Sequence, residues 1–512
     1  VVREKIEIDY LNKSGILKCS NPQTFRLIRE HFSVPTPNYK TRNFNIRKYV
    51  ITPAGAFEVG LWHEINSFIL TLNKQFDITF SDQFKKVYRP SLKNVPILSI
   101  NGYNYYDYQI EAIQHFFKNG RGICLIFTGG GKSLCVAGMT RSLLAVKPDA
   151  KIVVMVPTTG LLNQLYNDFN QKFDLPIIER WGDGHIPEFT KPVLVVGHNI
   201  MWQDINYTVS VLKEYDYVII DECHLVGEKE KKRRVLVEDS DGKKRFVTKD
   251  QHQISKILHN IPTPHKFGLT ATLPVKNKEA CWNILGKIGP VLYMKSSYEG
   301  RQQGTVTEVA IKVIYCQHTD EVPEPFIEVQ NEDGTISQVL DKRPSAKYNE
   351  ERKFLYRCEK RNGLIRKICT KMTGNGMILI DNIEQGEILK KILETTDRIV
   401  YFIWSDVKSE ERAKIIDQME NQTGIICIAM SKCFSTGISI NNLHWLVLPG
   451  VGKSGIKIMQ SIGRSMRLHE SKNLATVFDI ADDTTYAKAH LKERLELYVK
   501  EKIEYKSIKQ KL

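Results

Sequence analysis

A glycine run ending in Lys-Ser, and two adjacent carboxylates about 90 residues further on, are the residues whose types and spacing could do chemistry. Thr128-Gly129-Gly130-Gly131-Lys132-Ser133 follows directly on the apolar run GICLIF, Gly122–Phe127. Glycines let the backbone curl so that successive N–H groups face a phosphate, and a following helix N-terminus adds positive potential. Lys132 then suits the β- and γ-phosphates of ATP, and the Ser133 hydroxyl suits Mg²⁺. The longer pattern G-x-x-x-x-G-K-[ST] fails at its first position, where Ile126 stands. The second cluster, Asp221-Glu222-Cys223-His224, closes the apolar run Tyr217–Ile220. Neighbouring side chains at a strand end point to different sides. Asp221 therefore suits holding Mg²⁺, and Glu222 suits orienting and deprotonating an attacking water.

Such residues need elements that hold them. Between residues 101 and 300, four apolar runs read as strands buried on both faces: Gly122–Phe127, Lys151–Val156, Pro192–Val196 and Tyr217–Ile220. Mixed segments such as Ser133–Leu144 and Leu161–Phe173 read as the helices between them. A second series follows: Met377–Ile380, Ile399–Phe402, Gly424–Ala429, Trp445–Leu448 and Ala475–Phe478. The alternation predicts two doubly wound α/β domains with parallel sheets. Residues 1–100, with helices expected at Pro22–His31 and Leu61–Leu72, predict a small α+β accessory domain. The expected boundaries are 1–100, 101–298 and 299–512. Residues 317–351, rich in acids, Pro and Gly, predict an exposed excursion. RRVLVEDSDGKKRFVTK predicts a β-hairpin around Asp241-Gly242. It reads equally as a DNA-gripping device or as a solvated decoration.

Taken in order, TGGGKS, DECH and Thr270-Ala271-Thr272 resemble motifs I, II and III of the superfamily 2 helicases. Tyr108-Gln109 resembles the adenine-sensing Q motif, VPTTGLLNQ (Val156–Gln164) motif Ia, and Val196-Gly197-His198-Asn199 a further DNA-contacting motif. Ser435-Thr436-Gly437-Ile438-Ser439 resembles motif V, with Ser439 where many relatives carry Asp. Gln460-Ser461-Ile462-Gly463-Arg464-Ser465-Met466-Arg467 resembles motif VI. Its spacing puts Gln460, Arg464 and Arg467 on one helix face, and the two arginine guanidiniums suit transition-state charge at the γ-phosphate. The CFSTGISINNLHWLVL stretch, the C-terminal RLELYVKEKIEYKSIKQ and the N-terminal NYKTRNFNIRKYVITPAGAFEVG resemble the phage UvsW-type recombination helicases.

The resemblance implies two RecA-like domains, a DNA-dependent ATPase using ATP and Mg²⁺, and action on branched DNA: junctions, D-loops, R-loops and stalled forks. It also implies single-stranded and branched DNA as partners, RNA–DNA hybrids among the tracks, recombination or single-strand-binding proteins as companions, and a place in the (host) cytoplasm. His224, Thr270 and Thr272 become candidates for coupling hydrolysis to movement. An RNA helicase or a restriction-type duplex translocase would use the same engine on another track. A non-motor annealing protein would not need Lys132, Asp221, Glu222, Arg464 and Arg467 together.

A translocase must hold the sugar–phosphate backbone without reading bases. Thr158 and Asn199 in the first α/β domain and Thr436 in the second are the candidates. In the N-terminal segment Tyr39, Lys40, Arg42, Arg47 and Lys48 interleave aromatic and basic side chains, which suits phosphate contact with stacking or, equally, a charge-protected sheet edge.

The formal net charge of +15 favours a polyanionic partner. Residues 1–100 hold 15 basic and 8 acidic residues, 228–250 hold 9 and 6, and 484–512 hold 8 and 4. These three segments carry nearly the whole excess, so salt-sensitive affinity is expected from them and hydrolysis from the near-neutral remainder. Ten cysteines without any C-x-x-C spacing predict reduced thiols rather than zinc or disulfides. No stretch is apolar enough for a membrane span, and VVREKIEIDY has charges where a signal peptide needs an apolar run.

Overall fold

The computed structural model describes residues 3–36, 46–201, 204–227, 231–238, 244–251, 254–330, 335–431, 433, 440–450, 462–463 and 469–512. The chain forms two compact units, residues 1–127 with 131–295, and residues 296–512 with 128–130.

The first unit is built on a seven-stranded sheet. Its order is Val291–Lys295, Gly122–Ile126, His265–Thr270, Tyr217–Asp221, Ile152–Val156, Val193–Gly197, Ile178–Trp181, and every pairing is parallel. The central strands are apolar at nearly every position because helices cover both faces. His265–Thr270 was not among the expected strands. Its His-Lys start breaks the apolar run at the amino-terminal end of the strand.

The N-terminal sheet has the order Ala56–Phe57, Ser14–Cys19, Glu4–Leu11, Phe76–Phe80. Its core residues Ile6, Ile8, Phe32, Leu61, Trp62 and Ile65 belong to one apolar cluster with Ile220, Ile257, Trp282 and Ile288 of the larger sheet domain. The segments 1–100 and 101–298 thus share a continuous core. Gly60 permits the closest approach: a Cβ there would lie 2.2 Å from the Leu285 carbonyl oxygen and 2.7 Å from that of Gly286, both backbone. Gly60→Ala is therefore expected to destabilise this unit by about 1–3 kcal/mol through overpacking, read as a lower thermal midpoint with unchanged far-UV circular dichroism at 25 °C.

The second unit repeats the architecture. Its seven parallel strands are ordered Ile399–Ile403, Ile425–Met430, Gly376–Ile380, Trp445–Pro449, Leu474–Asp482, Glu308–Gln317, Tyr505–Lys511. The C-terminal stretch RLELYVKEKIEYKSIKQ, which resembles the last helix of the UvsW-type helicases, is not one helix here. The helix Thr485–Lys500 stops, Lys502 takes a left-handed φ of 50°, and Tyr505–Lys511 becomes an exposed edge strand. The helix packs through Arg494 and Tyr498, which meet the buried Asp479 carboxylate, both at 2.9 Å.

The expected hairpin forms between Lys231–Glu238 and Lys244–Gln251, antiparallel from Lys231↔Gln251 to Glu238↔Lys244. The excursion 317–351 contains a second hairpin, Phe326–Gln330 with Ile336–Leu340. All ten cysteines are free thiols. No helix among the described residues is long and apolar enough to cross a membrane.

Candidate active site

Strand order brings the chemistry together. The strand ending in Thr270 lies between the strand feeding the glycine loop and the strand ending in Asp221. Leu125 pairs with Thr270 and Asp221 with Leu269, so all three ends emerge at one edge of the sheet. Ligands of open α/β sheets bind at that carboxyl edge.

The loop adopts the curled form expected of it. Gly129 and Gly131 have φ of 89° and 73°, a region that side-chain-bearing residues rarely enter. Gly131 caps the helix Lys132–Val146, placing Lys132 and Ser133 in its first turn. A Cβ on Gly131 would fall 2.3 Å from Gln109 Nε2. The Gln109 amide therefore lies against the phosphate loop, while its Oε1 accepts the Tyr106 N–H at 3.0 Å and caps its own helix. Tyr108 is buried beside Phe127 and stacks on Tyr106 at 5.6 Å, with the Lys295 ammonium 5.7 Å from its ring. The resemblance implied that the Gln109 amide reads the base; the structure adds that this amide lies against the phosphate loop.

Lys132 Nζ lies 3.5 Å from Glu222 Oε1. Glu222 has a left-handed φ of 49°, and its N–H donates to Asp221 Oδ1 at 2.9 Å. A non-glycine residue held in that region marks a constrained position. Burial, and then the Glu222 charge, push the Asp221 carboxyl up to about 6 against the opposing pull of Lys132. Beyond Glu222 a polar chain runs into motif III. His224 Nδ1 is 2.9 Å from Thr270 Oγ1 and 3.3 Å from Glu222 Oε2. The Thr270 hydroxyl has two acceptors within reach, Glu222 Oε2 at 3.3 Å and the Thr272 carbonyl at 3.2 Å. One proton cannot serve both, so the hydroxyl is a two-position contact between the carboxylate and the motif III backbone.

Two sheltered carboxylates beside one ammonium leave room for a dication to relieve their repulsion, and no third carboxylate, His or Cys completes a metal cage among the described residues. That donor set fits Mg²⁺ with its remaining positions filled by phosphate and water. The pH consequence has a definite sign. A carboxyl raised from 3.8 to about 6 binds more protons folded than unfolded between those values, so its contribution to stability falls as pH rises through them. Asp221→Asn should raise the thermal midpoint by a few degrees at pH 7–8 and by less at pH 5, while removing Mg²⁺-dependent turnover.

The proposed nucleic-acid residues are placed less favourably. Thr158 Oγ1 caps the helix Thr159–Asn167 by accepting from Leu161 N–H at 3.3 Å. Asn199 falls in the short helix His198–Met201, and its side chain lies outside the described set. Arg47 donates to Ser33 Oγ at 2.8 Å, and Lys48 pairs with Glu279 at 2.9 Å, so both have partners within the chain. Tyr39, Lys40, Arg42, Thr436, Gly437, Gln460, Arg464 and Arg467 lie outside the described residues.

Residues 102–275 match the family described as "Type III restriction enzyme, res subunit", and residues 359–469 match "Helicase conserved C-terminal domain". The ATP-dependent DNA helicase uvsW of Enterobacteria phage T4 is 27% identical over 424 residues, covering 78% of this chain and 76% of that protein. The chain is a superfamily 2 helicase. Its fold is shared with an HsdR subunit fragment of a type I restriction enzyme from Vibrio vulnificus YJ016, at 12% identity and a TM-score of 0.56 over 97% of this chain and 86% of that one. It is shared also with S. cerevisiae Dbp5, at 14% identity and a TM-score of 0.53 over 79% and 90%. Both likenesses place the helicase's sheets in the RecA-like class. The two helicase domains and the similarity to the uvsW helicase make it an ATP-dependent enzyme.

Proposed function

We propose that this helicase binds Mg²⁺·ATP at the glycine loop, hydrolyses it when DNA is bound, and uses the cycle to unwind and branch-migrate junctions, D-loops, R-loops and stalled forks. The observation that carries the hydrolytic part is the assembly of Lys132, Asp221, Glu222, His224 and Thr270 at one sheet edge. Lys132 leaves Glu222 for the phosphates, and the backbone N–H groups around Gly129–Gly131 hold them. Ser133 and Asp221 hold Mg²⁺, which shields phosphate charge when bound. Glu222 orients the attacking water and takes its proton. Arg464 and Arg467 meet transition-state charge, Gln460 lies on their helix face, and Gly437 lines the nucleotide. The Thr270 hydroxyl reports the state of Glu222 to motif III, with Thr272 as its alternative acceptor. Thr158, Asn199 and Thr436, with the basic N-terminal segment, hold the DNA backbone.

Branched DNA as the track is supported by the similarity to the T4 DNA helicase over three quarters of both chains. A duplex translocase of restriction type is the second reading, favoured by the family matched over residues 102–275. ATP turnover measured with single-stranded DNA, a four-way junction, linear duplex and RNA separates them. Strongest stimulation by the junction and single strands is expected. Stimulation by linear duplex alone would favour the second reading, and stimulation by RNA alone would exclude both.

A further inference from the structure

The sheet edge away from Lys132 holds a second concentration of charge that hydrolysis does not use. Lys266 is the second residue of the strand His265–Thr270, and Arg121 immediately precedes Gly122–Ile126. Between that edge, the helices Ile254–Asn260 and Lys278–Ile288, and the N-terminal sheet lies a cavity of about 30 Å³. By the same measure one water needs about 10–15 Å³, so there is room for two or three water-sized groups, the size of one small oxyanion.

The charges around it do not balance. Lys13, Arg121, Lys266 and Lys287 line the cavity together with His259, and Glu58 is the single carboxylate among the lining residues described. Lys287 and His259 both turn to Glu58, which holds its carboxyl down at about 2 despite burial. Arg121 caps one helix end, donating to Ile288 O at 2.8 Å and Lys287 O at 3.2 Å. Lys266 caps another through Leu258 O at 2.5 Å. A helix C-terminus carries only about half a negative charge. Two such ends and one carboxylate offset roughly two of the four cations. Burial first, and the neighbouring Arg121 second, push the Lys266 ammonium down to about 7, as befits a cation short of counter-charge. Lys266 spends one of its three N–H donors on Leu258, and Lys13 spends one of its own on Asn260 Oδ1 at 3.1 Å.

We propose that this cavity binds a phosphate-type oxyanion, held by Lys13, Lys266 and Lys287 at the seam between the N-terminal sheet and the ATP-binding sheet. The negative charge of the oxyanion offsets the excess, and its bonds to Lys13 on one side and Lys266 on the other tie the two sheets together. The same chemistry is offered by free inorganic phosphate and by a phosphodiester of bound nucleic acid reaching in from the exposed rim at Lys13.

The test uses the full chain carrying Lys132→Ala, which weakens phosphate binding at the glycine loop. Thermal midpoints and calorimetric titrations are taken with inorganic phosphate against chloride at equal ionic strength, and separately with a single-stranded oligonucleotide. Phosphate is expected to raise the midpoint saturably. Adding Lys266→Met should raise the midpoint in chloride and lower phosphate affinity at least tenfold. Adding Lys13→Ala, at the exposed rim, should lower it several-fold without disturbing the fold, and it carries the test if Lys266→Met does not fold. A loss confined to the oligonucleotide identifies the phosphodiester as the source. Equal affinities for both ligands in all three proteins would overturn the proposal.

Discussion

Glu222→Gln is expected to slow nucleic-acid-stimulated ATP turnover by about 10²- to 10⁴-fold, the usual worth of a positioned general base. The amide keeps the size and hydrogen-bonding reach of the carboxylate but cannot take the proton. The loss should therefore fall on kcat, with KM for ATP little changed. Lys132→Ala should differ by raising KM as well, because the ammonium holds phosphate in the ground state. A second signature belongs to Glu222 alone. Its charge contributes to the raised Asp221 carboxyl, so the residual activity of Glu222→Gln should persist to lower pH than that of wild type. Equally slow turnover in wild type and Glu222→Gln with DNA present would leave a nucleic-acid-binding protein without a motor.

Arg361→Ala is expected to destabilise the second unit by about 3–5 kcal/mol, the cost of stranding one partner of a buried ion pair. Arg361 and Asp482 are 1% and 0% exposed and meet through two bonds, Nε to Oδ1 at 2.8 Å and a terminal nitrogen to Oδ2 at 2.9 Å. His318 Nε2 adds a third contact to Oδ1 at 2.9 Å. Burial alone would raise the Asp482 carboxyl; Arg361 and His318 outweigh it and hold it below the ordinary value. That stability is present above pH 4 and is lost as pH falls through the depressed value. Without Arg361 the carboxylate is buried and uncompensated. The unit built on Glu308–Gln317 and Leu474–Asp482 should then melt about 10 °C earlier than wild type, as a separate transition in calorimetry. Arg361→Lys should recover only part of the loss, since an ammonium cannot match the two carboxylate oxygens.

What could be read in advance follows from where each segment is buried. Runs such as IVVMV and GIICIA are covered on both faces, so their apolar continuity is enough to identify them. The strand His265–Thr270 escaped because its first two residues are polar: His265 meets the Gly120 carbonyl and Lys266 lines the basic cavity. Tyr505–Lys511 escaped because an exposed edge strand needs no apolar pattern, and its lysines look like a continued helix. At the site, the residue types of Lys132, Asp221 and Glu222 were legible because phosphate and metal chemistry permit few substitutes. The left-handed Glu222, the Gln109 amide against Gly131 and the two acceptors of Thr270 depend on strand order, which no local pattern encodes. The aromatic and basic pattern of the N-terminal segment was the least decisive, since Arg47 also bonds Ser33 of its paired strand and Lys48 pairs with Glu279 of the helix Lys278–Ile288.

ATP turnover at Lys132 and Glu222 is proposed to drive the remodelling of branched DNA. The most direct measurement is unwinding of a synthetic four-way junction beside a simple forked duplex, with Lys132→Ala as control. ATP-dependent conversion of the junction faster than of the fork, absent in Lys132→Ala, is the predicted result; no conversion of the junction by a protein that hydrolyses ATP in its presence would contradict it.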